Sequence, residues 1–210
     1  MIAEKRERPG DDIISLLLQS EVDARPLSTE QVVSFVALLL GAGIDTTIHL
    51  LSKALLLLSE RPDLLARLHG DRTLVSSFVE ELLRFDPPTH ALLRSTTREV
   101  QCGDATIPAQ SVVLLLLAAA NRDPRQYEAP DRFEIERRVR GSFAFGHGPH
   151  LCIGAALARF EARITLEVLL ERFEGLERDS ATEIAWDRAL HTRGPTALPM
   201  RFVASAQRQS

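Results

Sequence analysis

A single cysteine among glycines is the feature of the sequence that points most clearly to chemistry. Cys152 lies in the stretch FGHGPHLCIG, just before an amphipathic helical pattern. Glycines on both sides let the backbone turn tightly and approach a flat ligand closely. A helix that starts at Cys152 points its positive end at the sulfur, which favours the thiolate over the thiol. A thiolate so placed can ligate iron, and the sequence predicts that role for Cys152.

Two other interpretations of Cys152 stay open on spacing alone. A lone cysteine is most often a small buried hydrophobe, here beside a glycine-rich turn. A nucleophilic cysteine is the third option, because His147 and His150 are close in sequence, although sequence neighbours seldom supply the catalytic base. The second cysteine, Cys102, precedes Gly103 at a predicted turn, and we expect it to be structural.

A polar cluster interrupts a long apolar helical pattern: Asp45, Thr46 and Thr47 follow Ala42 and Gly43. Gly, Asp and Thr are poor residues for a helix interior. The Thr46 hydroxyl can bond to a preceding carbonyl and open the helix locally. An acid beside a hydroxyl in an apolar helix suggests proton delivery, the alternative being a tolerated polar turn on a solvated face.

Glu81 and Arg84 lie one helical turn apart, and Arg132 follows in the sequence PDRF. Such an (i, i+3) pair is usually a surface salt bridge of little value. Glu80 can also pair with Arg84, so this motif alone is nearly uninformative.

The elements that must position these residues are mainly helical with small β-sheets, an α+β fold. Ser28 and Gln31 form a capping box that predicts a helix of about thirty residues, ending before Pro62. Further helices are predicted after Asp11 and Asp12, from Pro62 to Gly70, from Leu74 to Phe85, and from Cys152 to Gly175. Short strands are predicted within 92–100, at 106–107 and at 111–115, as parts of one small sheet, and near Met200 and Phe202. Residues 123–150 form an irregular loop, and loops this long are usually functional.

Composition limits the class of protein. The chain has 210 residues, of which 45% are hydrophobic and 26% charged, with a net charge of -4. These values are typical of a soluble globular protein and give no electrostatic reason to expect nucleic acid or a membrane as partner. Two cysteines exclude a disulfide framework and a multi-cysteine zinc site.

The chain is expected to be cytoplasmic. Its amino terminus lacks the apolar core of a secretory signal. Asp45, His49 and Lys53 lie inside the long apolar stretch, which argues for a buried helix and against a membrane span.

Taken together and in order, AGIDTT, EELLR, PDRF and FGHGPHLCIGAALA resemble the signature set of the cytochrome P450 family of haem-thiolate monooxygenases, of the soluble bacterial type. The conjunction is far more specific than any single motif. The resemblance covers essentially the whole chain. It implies that residues 1–210 are the carboxyl-terminal, haem-binding portion of that fold, with a long central helix, a cysteine-ligand loop and a following helix, and that the amino-terminal half is absent.

On the sulfur side of the cofactor, the resemblance implies that Cys152 is the ligand of the iron in haem b. Phe145 matches the aromatic residue that shields the sulfur. The close-approach glycines are matched by Gly146, Gly148 and Gly154. A structural triad that braces this side is matched by Glu81, Arg84 and Arg132.

On the other side, the resemblance implies that Asp45 and Thr46 are the acid–alcohol pair that delivers protons during dioxygen activation. Arg94 and His150 match side chains that hold the haem propionates through charge-assisted bonds. The point where the long helix passes over the haem is matched by Ala42 and Gly43.

The function implied by the resemblance is insertion of one oxygen atom of dioxygen into an apolar organic substrate. Electrons come from NAD(P)H through a ferredoxin and its reductase. The resemblance implies that the absent half supplies most of the roof over the substrate, which motivates the first of two alternatives. The first is a non-catalytic fragment that binds haem or a partner, such as a separate amino-terminal half or a full-length relative. The second is a haem isomerase or dehydratase without redox chemistry. Arg159 and Arg163 are expected on a solvated helix face or in a docking surface for an acidic electron donor.

Overall fold

A computed structural model describes residues 2–179 and 181–205, and it confirms a mainly helical fold with small antiparallel sheets. The helices are α1 (Ile2–Glu7), α2 (Ile13–Gln19), α3 (Thr29–Glu60), α4 (Pro62–Gly70), α5 (Leu74–Phe85), α6 (Leu117–Ala120) and α7 (Ala155–Arg172). The strands are β1 (Glu21–Val22), β2 (Arg25–Pro26), β3 (Ala91–Ser95), β4 (Val100–Cys102), β5 (Ala105–Ile107), β6 (Val112–Leu116), β7 (Phe173–Arg178) and β8 (Met200–Ala204).

Backbone contacts divide the chain into two units, residues 1–45 and residues 46–210. In the first unit, the Asp12 carboxylate caps α2 by accepting hydrogen bonds from two amides of its first turn. The predicted capping box of α3 is present: the amide of Ser28 donates to Gln31 Oε1 at 2.8 Å, and the amide of Gln31 donates to Ser28 Oγ at 3.2 Å. That residues 1–210 form one haem-binding portion stays a prediction.

The core of the second unit lies between the carboxyl-terminal part of α3 and helices α4, α5 and α7. Apolar residues four apart on α3, at Leu50, Ala54 and Leu58, are buried in it. From the other helices the core takes Leu64, Leu65, Leu68, Val75, Phe78, Val79, Leu82, Leu83, Ala162, Leu166, Leu169 and Leu170. Each fully buried leucine contributes roughly 1.5–3 kcal/mol of transfer free energy, so this packing fixes the helices that carry the site.

The strands form separate sheets, so the prediction of one small sheet is wrong. β4 and β5 make their own hairpin, closed at Gly103, whose φ is +58°. β6 instead returns to pair with β3. These turns determine which strands pair, and the alternation of apolar and polar residues along the sequence does not predict them.

Helix α7 is shorter at both ends than predicted. It begins at Ala155 and ends at Arg172, where the chain continues as β7 and pairs with β8. Gly175 was predicted to stop the helix, but it lies at a bulge in this pair, where a Cβ would come within 3.2 Å of Val203. Pairing with a distant strand overrides the helical pattern.

Helix α3 is continuous through residues 41–47, so the local opening predicted at Thr46 is absent. It is long and apolar enough to cross a membrane, with a mean hydropathy of 1.6 over eighteen residues, which is weak evidence for one helix alone. The predicted burial holds for its carboxyl-terminal part, where His49 and Lys53 are buried. Nearer the amino terminus, large apolar side chains are exposed, namely Val33, Leu38, Leu40 and Ile44.

Candidate functional site

The cysteine loop, residues 143–155, is held in shape by its own backbone. Turns at 143–146 and 148–151 are each closed by a hydrogen bond, and the amide of Cys152 donates to the carbonyl of Phe145 at 2.9 Å. These three hydrogen bonds fix the backbone path of the loop.

Two glycines are needed for this backbone path. Gly146 and Gly148 have φ of +74° and +69°, in the left-handed region that other residues enter at a cost of roughly 1–2 kcal/mol. Nothing lies within 4 Å of a Cβ built on Gly148, so its requirement is conformational. A Cβ on Gly154 would lie 3.9 Å from Cys152 Sγ, an ordinary van der Waals contact, so Gly154 lies next to the sulfur.

The Cys152 side chain is exposed, which rules out the small buried hydrophobe. Cys152 precedes α7, whose first residue, Ala155, donates its amide to the Cys152 carbonyl at 3.3 Å. The prediction that the helix starts at the cysteine is therefore wrong by three positions. His147 lies edge-on to Phe143 at 6.2 Å between ring centroids, and His150 is exposed at the end of a short turn.

The surroundings of the sulfur fit a haem. Leu151 and Ile153, on either side of Cys152, are exposed, and Ile153 is 80% exposed. Exposed apolar side chains on both sides of a thiol suit a site for a ligand or partner. Among residues 2–179 and 181–205, no group of three His, Cys, Asp or Glu is placed to hold a metal ion. An exposed thiol between exposed apolar side chains suits a haem, which is largely apolar and whose iron accepts a cysteine thiolate.

Phe145 is packed against the core and covered by a guanidinium. The Arg159 Cζ atom lies 4.5 Å from the centre of the Phe145 ring. Arg159 also donates to both carboxylate oxygens of Glu80, at 2.5 and 3.2 Å. Arg159 therefore joins α7 to α5, whereas Arg163 pairs with Glu167 on its own helix.

Arg94 and His150 were predicted to hold the propionates. Arg94 lies on β3 opposite Val113, with its exposed guanidinium donating to the Leu93 carbonyl at 2.8 Å. Both side chains are at the surface, and their role toward haem stays a prediction.

Asp45 and Thr46 are consecutive residues of α3, Asp45 exposed and Thr46 half-buried. Ala42 and Gly43, one turn earlier, are exposed, and nothing lies within 4 Å of a Cβ built on Gly43. The surface of the helix is open there. The proton-delivery role of the acid and the alcohol, and the passage of this helix over the haem, stay predictions.

The pair Glu81 and Arg84 is fully buried, each with 0% exposed side chain, so it is no surface salt bridge. Arg84 donates to both carboxylate oxygens of Glu81, at 2.7 and 2.8 Å. Its other three N–H groups donate to the carbonyls of Asn121, Pro130 and Arg132. All five donors are satisfied, which is the condition for a buried guanidinium to be stable.

The third charged side chain of this brace is Arg137, and the prediction of Arg132 is wrong. Arg137 Nε donates to Glu81 Oε1 at 3.1 Å, and the Arg137 side chain is 9% exposed. Arg132 is 77% exposed and gives the brace only its carbonyl. A turn from Ala129 directs Arg132 outward, and the next turn, from Glu134, brings Arg137 back. Sequence reasoning had no signal for these two reversals.

The brace continues into the cysteine loop. Asn121, whose carbonyl accepts from Arg84, also accepts a hydrogen bond from the Phe143 amide at its Oδ1, 2.7 Å away. One end of the loop is thereby tied to α5.

Sequence reasoning missed a second polar cluster. Lys53, 2% exposed, donates to Asp86 Oδ1 at 2.7 Å and to the Pro87 carbonyl at 2.9 Å, and His90 Nε2 lies 3.2 Å from Asp86. Burial lowers the pKa of Lys53 despite the nearby carboxylate. Burial alone raises the pKa of Asp86, but hydrogen bonds and charge from His90 and Lys53 outweigh it, so the net shift is downward. The cluster fastens α3 to the segment that leads into β3.

A comparison with protein-family models matches residues 2–185 to the family described as Cytochrome P450. The chain is 43% identical over 203 residues to Cytochrome P450 107B1 of Saccharopolyspora erythraea, covering 96% of this chain and 50% of that protein. It is 41% identical to Cytochrome P450 monooxygenase PikC of Streptomyces venezuelae, covering 96% and 49%.

A comparison with solved structures also matches the chain to cytochrome P450 proteins. Cytochrome P450 CYP109Q5 from Chondromyces apiculatus superposes with a TM-score of 0.92 at 45% identity, covering 97% of this chain and 53% of that one. The chain thus spans about half the length of the relatives that it matches.

Proposed function

The chain belongs to the cytochrome P450 family, and we propose that it is the carboxyl-terminal, haem-binding portion of a monooxygenase. The proposed reaction inserts one oxygen atom of dioxygen into an apolar organic substrate. The observation that carries the proposal is the exposed thiol of Cys152 on a loop already set by its own backbone.

In this proposal the chain holds haem b through Cys152 as the ligand of the iron, with Phe145 beside the sulfur. When bound, the haem supplies one-electron chemistry and dioxygen activation, for which a thiolate ligand favours cleavage of the O–O bond. Arg94 and His150 bind the propionates, which suits their exposed cationic or hydrogen-bonding groups. Gly154 lies next to the sulfur.

Asp45 and Thr46 handle protons. The carboxyl of Asp45 takes protons from water, and the Thr46 hydroxyl passes them on toward the reacting oxygen. Ala42 and Gly43 have side chains small enough for a flat cofactor to approach the helix. Exposed apolar residues such as Leu93 suit an apolar substrate and exclude water from the reaction.

Electrons come from NAD(P)H through a ferredoxin and its reductase in the cytoplasm. The relatives named cytochrome P450, among them a monooxygenase from Streptomyces, support the oxygenase part of the proposal. The alternative is a non-catalytic fragment that binds haem or a partner protein.

The test loads the protein with haem and records the spectrum of the reduced carbon monoxide complex. We expect a thiolate-type spectrum that Cys152→Ala abolishes and that Cys102→Ala, the other exposed cysteine, leaves unchanged. An unchanged spectrum in Cys152→Ala rejects the proposal. A thiolate-type spectrum without NAD(P)H-dependent oxygenation of any apolar substrate, in the presence of ferredoxin and reductase, favours the non-catalytic fragment.

A further inference from the structure

We propose that Arg159 and Glu80 act as a clamp that positions the Phe145 ring and the cysteine loop, and thereby controls the electronic environment of the Cys152 sulfur. This inference rests on the proposed function only for the haem. The clamp itself is a feature of the chain, and part of its test needs no haem.

The guanidinium of Arg159 makes contacts through its edge and through its face at the same time. Its edge makes the two-point contact with Glu80, at 2.5 and 3.2 Å, and Nη1 also donates to the Ala155 carbonyl at 3.3 Å. Its face lies over the Phe145 ring, 4.5 Å from the centroid. Only the planar fork of arginine does both, because the lysine ammonium is a compact point charge.

Phe145 passes this restraint on to the cysteine. Its ring is fixed by Arg159 on one side and by the core on the other. Its carbonyl accepts the hydrogen bond from the Cys152 amide at 2.9 Å. A ring released from the clamp would therefore loosen the backbone bond that holds the cysteine in place.

The clamp also places a balanced pair of charges beside Phe145 of the loop. Arg159 carries a positive charge that Glu80 neutralises. Removal of Arg159 leaves an unpaired carboxylate, and removal of the Glu80 charge leaves an unpaired guanidinium. A nearby positive charge favours the reduced form of a redox centre and a negative charge disfavours it. The two changes therefore shift a reduction potential in opposite directions, which simple loosening of the fold does not do.

Arg163 offers a matched control four residues further along the helix. It pairs with Glu167 at 3.0 Å, and its guanidinium lies over a phenylalanine ring, Phe160, at 5.4 Å. All three residues belong to α7, so the contact joins the helix to itself and does not reach the cysteine loop.

The first measurement is amide hydrogen exchange on the chain without haem. We expect Arg159→Gln to speed exchange at the Cys152 amide several-fold over Arg163→Gln, and Arg159→Lys to fall between the two. Equal exchange in Arg159→Gln and Arg163→Gln overturns the clamp.

The second measurement is the reduction potential of the haem-loaded protein. We expect Arg159→Gln to lower the potential, Glu80→Gln to raise it, and Arg163→Gln to leave it near that of the unaltered protein. Shifts of the same sign in the first two variants overturn the electronic part of the clamp. If the unaltered protein shows no thiolate-type carbon monoxide spectrum, the proposed function fails, whereas the exchange result on the clamp stands by itself.

Discussion

The brace around Glu81 and Arg84 and the cysteine loop are adjacent, joined through Asn121, yet they are built in opposite ways. The brace is buried and all five donors of Arg84 have acceptors within this chain. The loop is shaped by backbone bonds and two left-handed glycines, and it leaves Cys152 and Ile153 exposed. The brace is thus complete within the chain, whereas the loop that we propose as the haem site keeps its thiol and apolar side chains available.

The largest effect expected from this contrast is on the brace. Arg84→Leu leaves Glu81 and three carbonyls without their buried partner, so we expect a loss of roughly 3–5 kcal/mol in the free energy of unfolding, measured with urea. Arg61→Gln is the control, because it breaks an exposed pair with Asp63 and should leave the unfolding midpoint unchanged. Equal losses in the two variants would show that burial of the brace is irrelevant.

Two further variants test which arginine is the third charged side chain of the brace. Arg137→Gln removes a charged hydrogen bond to the buried carboxylate of Glu81 and should cost about 2 kcal/mol. Arg132→Gln keeps the carbonyl that accepts from Arg84 and should have little effect in the same urea titration. A larger loss of stability in Arg132→Gln than in Arg137→Gln would show that Arg132 is the third charged side chain of the brace.

The cluster of Lys53, Asp86 and His90 is expected to make the stability of the protein depend on pH. The folded-state pKa of Asp86 is lowered, so its contribution to stability is present above the unfolded pKa of about 4 and is lost as pH falls through the folded value. We expect Asp86→Asn to lower the free energy of unfolding by about 1.5 kcal/mol at pH 7. The difference from the unaltered protein should shrink in strongly acidic solution. A difference that does not depend on pH would contradict the ionised partnership with Lys53.

The smallest effect concerns the loop. Gly148→Ala meets no neighbouring atom, so only its positive φ opposes the change, and we expect a cost of about 1 kcal/mol in thermal or urea unfolding. Gly70→Ala also meets nothing, but Gly70 lies in α4 and alanine favours a helix, so stability should be unchanged or higher. Similar behaviour of the two variants would mean that the loop is not restrained by its backbone.

Elements with local signals were well predicted from the sequence. The capping box at Ser28 and the proline at position 62 gave the amino-terminal ends of α3 and α4, and the run before Asp86 gave α5 without error. Cys152 was selected by its glycines and by the order of the four motifs.

Features that depend on distant parts of the chain were not predictable. Glu80 pairs with Arg159, which lies seventy-nine positions away in the sequence. Lys53 pairs with Asp86, which lies thirty-three positions away. The choice of Arg137 over Arg132 depends on two turns whose directions the residue types do not reveal. The short helix α1 was also missed, because its charged residues give no apolar periodicity.

We propose above all that Cys152 is the protein ligand of a haem iron. X-ray absorption at the iron edge of the haem-loaded protein tests it directly, because sulfur and nitrogen scatter differently in the first shell. We expect one sulfur ligand in the unaltered protein and in Cys102→Ala, and none in Cys152→Ala. A first shell without sulfur in the unaltered protein, or sulfur retained in Cys152→Ala, would contradict the account.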